Sequence, residues 1–94
     1  MQQIENPWVV YEFQNRYFIG KVVEENSDLV RLIHSISDIH VKTFGKSYMD
    51  DGSARFDNPE DAAIFYSLID KRCVNEKEIL GILKYSFPND FHKN

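Results

Sequence analysis

A single cysteine, Cys73, supplies all the thiol chemistry of the 94-residue chain. It cannot close a disulfide within the chain, and no C-x-x-C spacing exists to hold zinc or run dithiol redox chemistry, so a reducing, cytoplasmic setting is expected. Glycine and proline are scarce, at four and three residues. Gly20, Gly45, Gly52 and Gly81 lie too far apart to build a P-loop or a dinucleotide-binding turn. Long apolar runs are missing too: none approaches the ~18 residues of a membrane span. The opening MQQIENPWVV has neither a basic leader nor a long apolar stretch, so neither export nor a membrane partner is expected. An excess of positive charge is also absent. Eleven Lys and Arg stand against fifteen Asp and Glu, for a net charge of −4, which argues against general attraction to phosphate backbones.

What the chain does have is bulk. Its residues are 43% apolar and include one Trp, five Tyr and seven Phe, enough to offset the ordering entropy of one small core. The expectation is one α+β domain over 1–94: a small antiparallel sheet of three to five strands packed against two C-terminal helices, with residues 1–5 and 89–94 as frayed tails. PWVVYEFQNRYFIGKVVEEN reads as a β-hairpin turning at Asn15–Arg16. Val9, Tyr11 and Phe13 fall on one face of its first strand, and Trp8 and Val10 on the other, as in a strand covered on both sides. Gly20 in the second strand marks a bulge or a close approach.

Residues 27–44 fit two templates. As a strand, Val30, Leu32 and Ile36 point inward. As a helix, Leu29, Leu32, Ile33, Ile36 and His40 share a face, with Asn26 or Ser27 as cap. The β-branched content and the need to pair a hairpin edge favour strands, with a further strand near IHVKTFG carrying Val41 and Thr43 on one face. Asp51-Gly52 in MDDGSA reads as a hairpin turn that returns into the short strand ARF. Then come two helices with explicit punctuation. Asn58 caps the first, Pro59 opens it, Glu60 and Asp61 charge its first turn, and Lys71 and Arg72 close it. Ala62, Phe65, Tyr66, Ile69 and Cys73 make its apolar stripe. Asn75 and Glu78 form a capping pair for the second helix, with Val74 and Ile79 as staple. Ile79, Ile82, Leu83 and Phe87 form its buried face, Gly81 is read as allowing close packing, and Pro88 ends the helix.

Catalytic, metal and cofactor chemistry finds little footing. Cys73 sits on an apolar helical stripe, where a thiol is inert packing. His34, His40 and His92 match no zinc spacing, and SYMDDGSARFDN lacks the charged ligands of an EF-hand. No nucleophile, base and orienting group can be assembled, so no enzyme, cofactor or metal is expected. Asp50, Asp51, Asp57, Glu60 and Asp61 put five acids against Arg55 alone within twelve residues. Turn and cap duties account for most of them, and an acidic patch facing a basic partner is the functional alternative. Arg16, Lys21, Arg31, Lys42 and Lys46, interleaved with aromatic residues in the first half, motivate the other reading: a small barrel or sheet that binds nucleic acid.

In compactness, acidity and layout, the chain resembles the short accessory proteins of phages and mobile elements, some of which inhibit host defence enzymes. That likeness implies an inhibitor or adaptor and transfers no motif. The function expected from the sequence is therefore a small acidic protein-binding module, adaptor or inhibitor that docks noncovalently on a larger macromolecule, with a homodimer compatible and nucleic-acid binding as the alternative.

Overall fold

In the computed structural model, residues 4–34, 40–72 and 75–91 are described. Strands β1 (Trp8–Phe13), β2 (Arg16–Glu25), β3 (Leu29–His34) and β4 (His40–Gly45) run as an antiparallel meander. Helix α1 (Lys46–Gly52) leads into β5 (Ser53–Phe56), and α2 (Pro59–Ile69), α3 (Glu76–Ser86) and the single turn α4 (Pro88–Phe91) follow. The five-stranded sheet has the order β4-β3-β2-β1-β5, every pair antiparallel. The domain is thus the α+β arrangement of sheet and C-terminal helices that composition and patterning predict.

The β1–β2 hairpin turns through Gln14 and Asn15, both at positive φ (54° and 64°). Two consecutive left-handed residues between the register pair Phe13 and Arg16 give the tight loop whose twist matches the flanking strands. Residues 29–34 and 40–45 are strands, which settles the strand-or-helix ambiguity for the described part of 27–44; Ile36 lies outside the described residues. The irregularity of β2 falls between Val22 and Glu24, three residues past Gly20, which stays in regular pairing opposite Val9.

β2 and β5 pair with both edges of β1, and a core lies on each of its faces. Trp8 and Val10 join Ile19, Ala62, Ala63, Tyr66, Ile79, Leu83 and Phe87 in one core beneath α2 and α3. Val9 and Tyr11 join Val22, Val30, Leu32 and Met49 in a second core on the opposite face. That second core closes by an unforeseen element. Asp51-Gly52 is not a hairpin turn from β4 to β5: it ends α1, and β5 pairs with β1, at the far edge from β4. In a flat sheet four inter-strand spacings would separate β4 and β5 by roughly 19 Å. A seven-residue helix rises only about 10 Å, so the sheet must curl around α1, whose Met49 is 1% exposed in the hollow.

Helix α2 starts as the cap residues dictate: the Asn58 side chain accepts from the Asp61 N–H at 2.9 Å, with Pro59 next in line. It ends earlier than Lys71 and Arg72, at Ile69. Asp70 takes the C-cap, and its N–H donates to the Tyr66 carbonyl at 3.0 Å. In α3 the Asn75 side chain accepts from the Glu78 N–H at 2.9 Å, and Ile79, Leu83 and Phe87 are buried while Ile82 is only partly so. Gly81 does not serve packing, since it is exposed and an added Cβ would meet nothing within 4 Å. Beyond Pro88 the chain does not fray at once: Phe91 lies edge-on to Trp8, ring centroids 6.2 Å apart. Cys73, Val74 and His92 lie outside the described residues. Among the described residues no helix is long and apolar enough to cross a membrane.

Candidate functional site

The five acids that are close in sequence fall at two elements. Asp50 and Asp51 belong to α1, and Asp50 pairs with Lys46 at 3.5 Å. Asp57, Glu60 and Asp61 surround the start of α2, and the four extended residues of β5 lie between the two groups, a separation of about 13 Å along the strand. At the α2 end, Asp61 is engaged locally, its carboxylate accepting from the Asn58 side-chain amide at 3.1 Å. Asp57, Glu60 and Asp61 are all exposed, and they border something the sequence reading passed over. Pro59, Ala62, Ala63 and Tyr66 form the buried side of α2. On a 100° helical wheel Asp61, Ile64 and Leu68 fall on the opposite side, with Glu60 beside them. Ile64 is 42% and Leu68 78% exposed. The outer ridge of α2 is therefore acidic at its N-terminal end and aliphatic along its length. Its signal was present in the sequence, as two large aliphatics on the wrong side of an otherwise regular amphipathic helix.

The five basic candidates also divide. Lys21 pairs with Asp90 at 2.6 Å, Arg31 with Glu24 at 3.1 Å and Lys46 with Glu25 at 3.1 Å. Lys21 also lies over the Trp8 ring at 5.5 Å, and Arg16 and Lys42 lie over aromatic rings, Arg16 at 5.6 Å from the Phe18 centroid and Lys42 at 4.8 Å from that of Phe13. The Phe18 and Phe13 rings belong to a cluster at one end of the second core: Tyr11 stacks on Phe18, Phe44 stands edge-on to Tyr11 and Phe13, and Tyr48 stacks on Phe44. Strand pleating explains the grouping, since alternate residues of β1, β2 and β4 project to the same face. Tyr48 is pinned by its hydroxyl, which donates to the Glu12 carbonyl.

Two polar networks brace the molecule. Glu25, at the end of β2, accepts from Arg55 Nη1 and Nη2 at 3.1 and 2.9 Å and from Lys46 Nζ at 3.1 Å. The Arg55 guanidinium beside it holds its carboxyl down at about 2. Arg55 also donates to the Asn6 and Glu5 carbonyls, so one arginine ties the N-terminal segment, β2 and β5 together. The second network sits where α2 ends. Asp70, its side chain 6% exposed, accepts from Arg72 Nε at 3.0 Å and Nη2 at 2.6 Å and from the Arg72 backbone N–H at 2.9 Å. Arg72 holds the Asp70 carboxyl well below the ordinary carboxylate range. Arg72 Nη2 also donates to the Tyr66 hydroxyl and to the Tyr17 carbonyl, and burial pushes the Tyr66 hydroxyl far above its ordinary value.

Among the described residues no group of three His, Cys, Asp or Glu side chains is placed to hold a metal ion. No family model matches the chain, and no curated protein or solved structure is significantly similar to it.

Proposed function

We propose that this protein is a noncovalent docking module whose outer α2 ridge seats in an apolar groove with a basic rim on a larger protein. What supports the reading is the exposure of Leu68 and Ile64 on a helix whose inner side is already packed. A folded domain gains nothing from presenting Leu68 to water, whereas a partner gains about 2 kcal/mol from burying such a side chain. Glu60, Asp61 and Asp57 flank the ridge, so a groove with a Lys or Arg rim is the complementary surface. Asp50 and Asp51 stand apart from this surface. The test is capture from extracts of the source cells with three forms of the full chain. Leu68→Asp abolishes retention of a specific protein and Glu60→Lys weakens it in a salt-dependent way, while Asp51→Lys retains it. If Leu68→Asp folds and keeps the same partner, the ridge is not the docking surface.

A second reading is favoured by one observation, the placement of Arg16 and Lys42 over the rings of Phe18 and Phe13 beside Phe44 and Tyr48. Cations on aromatic platforms suit stacked bases and their phosphates. Fluorescence anisotropy of a labelled single-stranded oligonucleotide at low salt decides it. Salt-sensitive binding lost in Lys42→Gln supports this second function, and no binding at low salt removes it.

A further inference from the structure

The end of α2 and the β1–β2 turn enclose a cleft of about 540 Å³, lined by Glu12, Asn15, Arg16, Tyr17 and the segment from Asp70 to Arg72. Its volume lies in the range of small-ligand sites. The floor is a prearranged guanidinium. Asp70 occupies the Nε and Nη2 side of Arg72, and the hydroxyl of fully buried Tyr66 and the Tyr17 carbonyl take further Nη2 contacts. Among the described residues Arg72 Nη1 donates no hydrogen bond. Arg16 and Lys71 add cations at the rim, opposed by Glu12, while the charge of Asp70 is already met by Arg72.

We propose that this cleft binds a small oxyanion of the phosphate class, with Arg72 as its fixed donor and Arg16 as its rim donor. A guanidinium held by buried partners suits such a ligand, because its Nη1 N–H groups can donate to a phosphate oxygen and little rotamer freedom is left to lose on binding. The site is separate from the α2 docking ridge and stands or falls independently of it.

The test is a titration of the ¹⁵N-labelled full chain with inorganic phosphate and with phenyl phosphate, at matched ionic strength and with sodium chloride as control. Saturable amide shifts centred on Asn15, Arg16 and Arg72, absent with chloride, are expected. Tighter binding of phenyl phosphate assigns a phosphate ester as the ligand, and equal affinity assigns free phosphate. Arg72→Lys keeps the charge but loses the Nη1 donors, and weakens binding about tenfold. Arg16→Gln, at the exposed first residue of β2, weakens it about threefold. Absence of saturable shifts, shifts matched by chloride, or an affinity unchanged in Arg16→Gln overturns the proposal.

Discussion

Replacing Glu25 by Gln removes one negative charge and leaves the shape of the side chain nearly unchanged, so it isolates what the Arg55–Glu25–Lys46 cluster contributes. The Glu25 carboxyl is held at about 2 against an ordinary 4.5. At 1.36 kcal/mol per unit this corresponds to ~3 kcal/mol, and screening of a side chain that is 17% exposed reduces it to ~2 kcal/mol. The folded state lowers this pKa, so the stabilisation is complete above about pH 4.5 and lost as the pH falls towards 2. Urea unfolding of wild type and Glu25→Gln should therefore differ by ~2 kcal/mol at pH 7 and by less than half of that at pH 3. A pH 7 difference below ~0.5 kcal/mol, the range of unremarkable surface changes, would refute the reasoning. So would a difference that is the same at both pH values.

Three further substitutions probe separate links between sequence and packing. Gly81→Ala, in the exposed middle of α3 with open space around its Cβ, should raise stability by ~0.8 kcal/mol, read as a higher urea midpoint at constant slope. Met49→Ala should cost ~3 kcal/mol in the same assay, because it empties the hollow under the curled sheet. Tyr11→Phe should be neutral or stabilising by up to ~1 kcal/mol. The Tyr11 hydroxyl is buried without a partner among the described residues, and a thermal melt shifted clearly downward would show that it has one.

Local chemistry was legible in the sequence; non-local pairing was not. Asn58, Pro59 and Asn75 act within a few residues of themselves, so their capping roles could be read directly, and the two-sided burial of β1 followed from apolar residues at both parities. Helix α1 carried no such signal. It has no side-chain cap, no acid in its first turn and an Asp-Gly pair at its end, and it is a helix because Met49 fills the hollow and the chain must cross from one sheet edge to the other. The pairing of β5 with β1 joins residues more than forty positions apart, which no local pattern encodes. The candidate site divided in the same way. The acids from Asp50 to Asp61 are close together in the sequence, and β5 divides them between the end of α1 and the start of α2. Lys42 meets Phe13 only through the sheet, whereas Arg16 and Phe18, two apart on one strand, could have been paired from sequence alone. Tyr66, Asp70 and Arg72 come together because α2 ends a residue before Asp70, too fine a boundary for charge patterning to resolve.

Photo-crosslinking measures the docking claim most directly. A benzophenone amino acid is placed at position 68 on the α2 ridge, and in separate samples at position 48 beside the aromatic cluster and at position 51 at the end of α1. Irradiation in extracts of the source cells should yield one protein adduct from position 68 that is competed away by unlabelled wild type and absent from positions 48 and 51. A competed protein adduct from position 48 or 51, with none from position 68, would contradict it.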